Sequence, residues 1–321
     1  MTENIINCTP KNNYLLSIII PHYRTPSLLV KLLDSIPVLT EIQVIVVDDN
    51  SNDAEYDRII GDCRYGHVLF TKNTSENKGA GAARNIGLTL ATGRWILFAD
   101  ADDYFLPGFY ESVSKYFTTN YDLVFFIPDS IYIDTKKRAD RHVPFKKYLI
   151  QYLVNPTLKN ELLLKYRVVS PCSKLINASL ITNNNIRFEE VIAANDVMFS
   201  IKTSFYSKSF MVDKNIIYMI TRSKGTLTVN TDYNFFLIRF NAFLTSYKYL
   251  KENLDKKGFS YLNITGLYML LKSRKYGISI FLNTFNILLT NRIKVINIFN
   301  YNPIVIYKRI HDAFTERKYL V

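Results

Sequence analysis

Short apolar runs alternate with amphipathic segments along the first 127 residues of the chain. The apolar runs predict five buried strands, at residues 15–20, 42–47, 67–71, 95–98 and 123–127. Thr25 and Pro26 are typical of a helix start, and leucines follow them at helical spacing. Continuous apolar strands separated by helices indicate a parallel sheet that is covered on both faces. The pattern therefore predicts an α/β fold with a mainly parallel central sheet.

The pattern changes near residue 230. Residues 234–254 and 266–310 are rich in Phe, Tyr, Leu, Ile, Lys and Arg, and they predict amphipathic helices. No internal repeat or low-complexity linker marks a boundary between the two parts. We therefore expect one α/β unit over residues 1–230 and a basic, mainly helical region over residues 231–321.

The net charge of +12 is distributed unevenly. Residues 1–110 carry nine Lys and Arg against 13 Asp and Glu, whereas residues 111–321 carry 31 against 15. A basic surface attracts nucleic acid, anionic lipid or a phosphorylated substrate, and charge alone does not choose among them. The acidic first third and the basic remainder predict different partners.

The cellular compartment is indicated by features that the sequence lacks. Its three cysteines, Cys8, Cys63 and Cys172, are too few and too scattered for a disulfide framework or a Cys-rich zinc site. Residues 1–14 lack the apolar core of a signal peptide. No stretch has the roughly 18 uncharged apolar residues that a spanning helix needs. We expect a cytoplasmic or peripheral membrane protein.

Acidic residues follow two of the predicted strands. Asp48 and Asp49 end the second strand, and Asp100, Asp102 and Asp103 follow the fourth. Ligands of such sheets bind beyond the carboxyl ends of the strands. Because acids gathered at one edge repel each other, a hard divalent cation with oxygen ligands fits there. A turn role for the first pair, and a helix cap for the last residue, are the structural alternatives.

A glycine-rich stretch, GAGAARN at residues 79–85, resembles part of a dinucleotide-binding fingerprint. It follows a predicted strand and opens a predicted helix, and Asp100 lies 19 residues after Gly81. However, Arg84 stands where the third glycine belongs, and the first strand–helix turn has no glycine. A Rossmann dehydrogenase is therefore disfavoured.

Four motifs in order resemble the nucleotide-sugar-binding half of family-2 glycosyltransferases. They are IIIPHY at residues 18–23, VVDDNS at 46–51, NKG at 77–79 with ARNIG at 83–87, and FADADD at 98–103. The resemblance covers about residues 15–110, and a weaker one continues to about residue 225. It implies the GT-A (nucleotide-diphospho-sugar transferase) fold, with a nucleotide-sugar half at about 15–110, an acceptor half at about 111–230 and a helical C-terminal extension. It also implies an inverting enzyme.

The same resemblance implies a role for each motif. Asp48 or Asp49 would accept hydrogen bonds from the nucleotide base, and Asp100 would bind the ribose hydroxyls. Asp102 would ligate Mn²⁺ or Mg²⁺, and Asp103 would share this task unless it caps a helix. The residues implied to bind the nucleotide sugar are Pro21, Tyr23, Asp48, Asp49, Gly79, Arg84, Asp100, Ala101 and Asp102.

The acceptor hydroxyl of such a reaction is a poor nucleophile and needs a carboxylate base beside it. The family has a Glu-Asp pair before an apolar pair that ends in Phe, and residues 195–199 (NDVMF) resemble this segment. Asn195 replaces the Glu, and the resemblance assigns Asp196 as the base. Glu189 and Glu190 are the alternatives, and a surface helix cap is the structural explanation for the Asn195–Asp196 pair.

The expected substrates follow from the resemblance too. Processive synthases of the family carry a Gln-x-x-Arg-Trp motif, whereas Trp95 is the only tryptophan of this chain. We therefore expect transfer of one sugar, from a UDP-linked donor to a glycan or lipid-linked acceptor in bacterial surface polysaccharide synthesis. The rival is a basic membrane- or nucleic-acid-binding protein with a degenerate transferase domain. No nucleic-acid motif is present, and we expect no nucleic-acid partner.

The segment between Lys275 and Arg292 holds 16 uncharged residues with basic residues on both sides. It is too short to span a bilayer but suits a helix that lies in the membrane interface. We expect peripheral contact with the inner face of the plasma membrane. Packing on the catalytic domain and a homo-oligomer interface are the alternatives.

Overall fold

The computed structural model describes residues 14–222 and 232–296. Ten strands form two sheets in this part of the chain: β1 (Leu16–His22), β2 (Ile42–Asp48), β3 (Val68–Lys72), β4 (Trp95–Phe98), β5 (Tyr104–Phe105), β6 (Leu123–Phe126), β7 (Asp129–Tyr132), β8 (Lys174–Asn177), β9 (Phe210–Asp213) and β10 (Tyr218–Arg222). The large sheet has the order β3-β2-β1-β4-β8-β6-β9, and the small sheet has the order β5-β10-β7.

The large sheet is parallel except at one strand. The pairs β1–β2, β2–β3, β1–β4 and β6–β9 run parallel, and β8 runs antiparallel to both of its neighbours. All five predicted strands belong to this sheet. The predicted α/β fold with a mainly parallel central sheet is confirmed.

The helices of the described residues are α1 (Pro26–Asp34), α2 (Ala54–Ile60), α3 (Ala80–Leu90), α4 (Phe109–Ser114), α5 (Val143–Val154), α6 (Leu158–Arg167), α7 (Ala178–Asn183), α8 (Val197–Tyr206), α9 (Tyr233–Asn253), α10 (Lys256–Leu262), α11 (Leu267–Ser273) and α12 (Ile278–Thr290). Helix α1 begins where Thr25 and Pro26 predict it. The Thr25 hydroxyl makes no capping hydrogen bond, so the proline at the first helical position marks this start.

Both faces of the large sheet are covered by apolar side chains. Ile18 and Ile20 of β1 pack into a core on one face, while Ile19 packs into a second core on the other. Residues on alternate positions of a strand point to opposite faces. This burial on both sides explains why the strands are continuous apolar runs and do not alternate with polar residues.

Part of the C-terminal region packs on the α/β part of the chain. Leu250 of α9 and Leu262 of α10 share a buried cluster with Tyr166 of α6 and Ile201 of α8. Helices α9, α11 and α12 form a further apolar cluster. Among the described helices, none is both long enough and apolar enough to cross a membrane. The expected boundary near residue 230 lies outside the described residues, as does the last part, residues 297–310, of the segment predicted to be helical over residues 266–310.

Candidate functional site

The ends of β1 and β2 lie side by side, and His22 is opposite Asp48 in the strand register. The Asp48 carboxylate is 1% exposed and contacts His22 Nδ1 over 2.8 Å. It also accepts hydrogen bonds from the backbone N–H and the hydroxyl of Ser51. The His22 ring stacks on Tyr56, with the ring centroids 4.6 Å apart. Asp48 is thus enclosed in the turn that follows β2, as its structural alternative predicts.

Asp49 has a different environment. Its carboxylate accepts hydrogen bonds from Asn73 Nδ2 over 2.6 Å and from the Gly79 backbone N–H over 2.7 Å. The side chain remains partly exposed. Asp49 therefore fixes the loop in front of α3, and since it is more exposed than Asp48 it is the better placed of the two acids to meet a ligand.

Asp100, Asp102 and Asp103 form an acidic cluster beyond the end of β4, with one oxygen of each within 4.8 Å of the others. Burial, with repulsion from Asp100, raises the pKa of Asp102 to about 6. Burial and the neighbouring carboxylates also raise the pKa of Asp103 well above its usual value. The positive charge of Arg141 opposes both shifts. Oxygen ligands at this spacing, in a site that disfavours their negative charges, fit a hard divalent cation.

The helix-cap alternative for Asp103 does not hold. Its Oδ1 accepts a hydrogen bond from the backbone N–H of Thr221 over 2.7 Å, and the residue is 4% exposed. The following helix, α4, has Gly108 at its N-cap position instead. One oxygen of Asp103 thus joins the acidic cluster to β10 of the small sheet, which leaves Asp102 as the more open carboxylate.

Arg84 extends from α3 into the space between the acidic cluster and the loop before α8. Its Nη2 donates to Asp100 Oδ1 over 2.5 Å, and its Nη1 donates to Asn195 Oδ1 over 2.9 Å. The guanidinium also lies over the ring of Phe188, 5.3 Å from its centroid. Although burial lowers the pKa of Arg84, nearby acids, Asp100 foremost, raise it by more, so the group stays charged.

Asp196 occupies the N-cap position of α8, yet its side chain makes no capping hydrogen bond. The surface-cap explanation for this residue is therefore wrong. Burial raises the pKa of Asp196, whereas the positive charges of Arg84 and Lys174 lower it. Lys174 is itself buried and donates to the Val168 carbonyl over 2.5 Å. Its burial lowers the pKa of the ammonium group to about 7. The carboxylate is left available for chemistry.

The glycine-rich stretch packs against the loop that carries Asp196. A Cβ atom added to Gly81 would lie 2.1 Å from the Glu189 carbonyl oxygen and 3.0 Å from Asn195 Cβ. Gly79 has a φ of 104°, which favours glycine. These glycines let α3 approach the loop closely, and this requirement explains the motif without a dinucleotide.

Glu190 holds the same loop from its other side. Its carboxylate accepts hydrogen bonds from Ser75 Oγ and Asn77 Nδ2, both over 2.9 Å, and from Asn85 Nδ2 over 3.1 Å. These hydrogen bonds lower its pKa. A carboxylate with this many donors is a weak base. Glu189, by contrast, has a pKa that burial raises.

The remaining residues of the predicted set lie near the carboxyl ends of β1 and β4. Pro21 lies buried in β1, Ala101 is buried within the acidic cluster's turn, and Tyr23 is 51% exposed beyond β1. The structure brings together Arg84, the acidic cluster and the Asp196 loop, whereas Asp48 is enclosed elsewhere in the turn.

Two residues near the site belong to no sequence motif and could not be predicted. Arg141 precedes α5 and acts electrostatically on the acidic cluster. The Tyr218 hydroxyl accepts a hydrogen bond from the Asp100 backbone N–H over 2.8 Å. Both residues come from distant parts of the chain, and only the fold brings them to the crevice.

Comparison with known proteins identifies the family. The family model "Glycosyl transferase family 2" matches residues 17–183, more than half of the chain. The poly(ribitol-phosphate) beta-N-acetylglucosaminyltransferase TarS of Staphylococcus aureus is 28% identical over 216 residues, which are 64% of this chain and 35% of the relative. The poly(ribitol-phosphate) beta-glucosyltransferase of Bacillus spizizenii is 29% identical over 228 residues, 67% of this chain and 33% of the relative. The chain thus spans about a third of each relative's length.

Solved structures share the fold. The crystal structure of S. aureus TarS 1–349 in complex with UDP-GlcNAc superposes with a TM-score of 0.64 at 19% identity, covering 86% of this chain and 81% of that one. The mannosyltransferase PcManGT of Pyrobaculum calidifontis, in complex with GDP-Man and Mn²⁺, gives a TM-score of 0.58 at 15% identity, covering 95% and 86%. The fold is therefore GT-A, and the chain belongs to glycosyl transferase family 2.

Proposed function

We propose that the protein is an inverting, metal-dependent glycosyltransferase that moves one sugar from a UDP-linked donor to a hydroxyl of a glycan or lipid-linked acceptor. One observation carries the proposal. Arg84 contacts Asp100 of the acidic cluster and also Asn195, the residue before Asp196. Sugar transfer needs a metal-binding cluster for the leaving diphosphate and a base for the attacking hydroxyl within one crevice.

The donor would bind along the carboxyl ends of β1, β2 and β4. Asp49 would accept hydrogen bonds from the nucleotide base, and Asp100 would bind the ribose hydroxyls. Asp102 would hold a divalent cation, Mn²⁺ or Mg²⁺, with Asp103 sharing the task through its second oxygen. Such a cation, when bound, offsets the negative charge of the departing nucleoside diphosphate. The residues proposed to complete the donor site are Pro21, Tyr23, Gly79, Arg84 and Ala101.

Asp196 would remove the proton from the acceptor hydroxyl as it attacks the sugar from the side opposite the leaving group. This geometry inverts the configuration at the anomeric carbon. A carboxylate whose pKa is raised by burial is a stronger base than an exposed one, and the positive charge of Arg84 opposes this rise in the pKa of Asp196. The Asp196 side chain makes no capping hydrogen bond to α8.

The acceptor is proposed to belong to bacterial surface polysaccharide synthesis. Two relatives are named for poly(ribitol-phosphate), an acceptor rich in phosphate. The excess of basic residues beyond residue 110 suits an anionic acceptor of this kind. We place the enzyme in the cytoplasm, in contact with the inner face of the plasma membrane.

A donor panel tests the proposal. Purified protein would be incubated with UDP-, GDP- and dTDP-sugars, with and without Mn²⁺, and the release of nucleoside diphosphate would be measured. We expect release from one UDP-sugar that depends on the metal ion, and proton NMR of the transfer product should show an inverted anomeric carbon. Failure to bind or cleave any donor would overturn the proposal and favour the basic binding protein.

A further inference from the structure

One side of α12 is apolar and exposed. Ile278, Leu282, Phe285 and Leu289 are exposed by 72%, 57%, 38% and 54%, respectively. Their spacing of four, three and four residues aligns them along one face of the helix, and we call these four residues the apolar stripe. Soluble monomeric proteins rarely leave an apolar patch of this kind open unless it binds something.

The apolar stripe is distinct from the face by which α12 is anchored. Thr284 and Leu288 are buried against the rest of the helical region, where Leu288 lies against Gly266. A Cβ atom at Gly266 would come within 2.7 Å of the Leu288 side chain, so these two segments are tightly packed. The helix is therefore held in place without the apolar stripe, which remains free to meet a partner.

The stretch of chain that carries the apolar stripe is basic. Residues 256–296 contain seven Lys and Arg and no Asp or Glu. Arg274 and Lys275 are exposed directly before α12, and Arg292 and Lys294 are exposed directly after it. Both ends of the helix thus carry positive charge, and we call these four residues the basic ends.

We propose that the apolar stripe and the basic ends bind an anionic lipid surface, with α12 lying in the plane of the membrane. The apolar side chains would enter the boundary between head groups and acyl chains, and the basic ends would meet lipid phosphates. Helix α12 has 13 residues, fewer than the roughly 20 needed to span a bilayer. The contact does not depend on the transferase activity proposed above.

Charge also argues against a second copy of the chain as the partner. Two copies meeting through the apolar stripe would bring their exposed basic ends together. Like charges across an interface oppose association. An anionic membrane is complementary in charge to the basic ends, and this complementarity favours lipid.

Vesicle co-sedimentation of the full chain tests the proposal. The vesicles would contain phosphatidylcholine alone or mixed with phosphatidylglycerol, each at low and at high salt. The test variant carries Leu282→Asp and Leu289→Asp. The matched control carries Val154→Asp and Leu158→Asp, two exposed apolar residues of α5 and α6. Circular dichroism and gel filtration with light scattering would establish folding and oligomeric state for each protein.

We expect salt-sensitive binding to the anionic vesicles that the test variant loses and the control keeps. Arg292→Gln with Lys294→Gln should weaken the partition by about 30-fold, since each basic residue near an anionic surface contributes about 1 kcal/mol. Absence of binding by the full chain would overturn the proposal, as would equal binding by the test variant. If the parent and the control are dimers and the test variant is a monomer, the apolar stripe binds a second copy of the chain instead.

Discussion

Arg84 donates a hydrogen bond to the side-chain oxygen of Asn195 over 2.9 Å, across 111 residues of sequence. The amide of Asn195 accepts this hydrogen bond without carrying a charge. The positive charge of Arg84 is therefore divided between Asp100, which it contacts, and Asp196, whose pKa it lowers. The family pattern has a Glu at position 195, and a carboxylate there would pair with part of the positive charge of Arg84.

This relationship predicts the effect of Asn195→Asp. The variant keeps the acceptor for Arg84 but adds a negative charge beside Asp196. Like charge disfavours the ionised base, so the already raised pKa of Asp196 should rise further. Because the base must be deprotonated, the acid limb of the transfer rate should move to higher pH. A profile of kcat against pH checks this, and an acid limb that stays in place or moves to lower pH would contradict it.

Asp196→Asn should separate donor binding from transfer. The amide cannot accept the acceptor's proton, so we expect transfer to fall by roughly 10²-fold or more, the scale of a lost general base. Donor binding should change little, because the acidic cluster and Asp49 remain. Calorimetric titration with UDP and Mn²⁺, beside a transfer assay, checks both. If transfer is retained, Glu189 becomes the candidate base, since Glu190 is occupied by three donors.

The same variant should affect stability in the opposite direction from activity. Burial raises the pKa of Asp196 in the folded protein. A carboxyl group whose pKa is higher in the folded than in the unfolded protein stabilises the fold at pH values below its unfolded pKa. This stabilisation is lost as the pH rises through the folded pKa. At neutral pH the folded protein therefore holds a disfavoured charge, which Asn removes. We expect Asp196→Asn to unfold at the same or a higher temperature at pH 7, and a lower unfolding temperature would show that Asp196 makes stabilising contacts.

Asp102→Ala should abolish metal-dependent donor binding. A methyl group cannot ligate a cation, and Asp103 alone has one oxygen held by Thr221. Calorimetry with Mn²⁺ and UDP measures the loss directly. Asp134→Ala is the matched control, because Asp134 is exposed and its carboxylate accepts from the neighbouring Thr135 N–H. Equal affinity in the parent and the Asp102 variant would remove Asp102 from the metal site.

Local patterns along the chain were sufficient to predict five of the seven strands of the large sheet and the acids at its edge. The five apolar runs are buried strands because both faces of the sheet are covered, and the acids follow strands whose carboxyl ends share one edge. Position along a strand determines this placement, so it can be predicted from sequence.

Contacts between distant segments could not be predicted in the same way. The choice between Asp48 and Asp49 depends on His22 and Ser51, which enclose the first acid. The influence of Arg141 on the acidic cluster depends on how the fold brings the segment before α5 close to the end of β4. No periodicity or spacing reports such contacts, because they arise from tertiary packing.

Gly81 illustrates this limit, because its neighbour Glu189 lies more than a hundred residues away in sequence. The motif around Gly81 suggests a phosphate-binding loop, whereas its Cβ position faces the Glu189 carbonyl oxygen at 2.1 Å. A backbone atom cannot move aside by changing rotamer. Gly81→Ala must therefore shift either α3 or the loop that carries Asp196.

We expect Gly81→Ala to lower both stability and transfer. Alanine favours a helix over glycine by about 1 kcal/mol, but overpacking typically costs about 1–3 kcal/mol, and displacement of Asp196 by about 1 Å could cost 10²-fold in rate. Gly61→Ala is the matched control, since its φ is −80° and its Cβ would meet no atom closer than 3.7 Å. That control should be stabilised by about 0.4–1 kcal/mol with unchanged transfer. Urea unfolding and transfer assays of the two variants decide the matter, and a Gly81→Ala protein as active as Gly61→Ala would show that the Asp196 loop needs no close contact with α3.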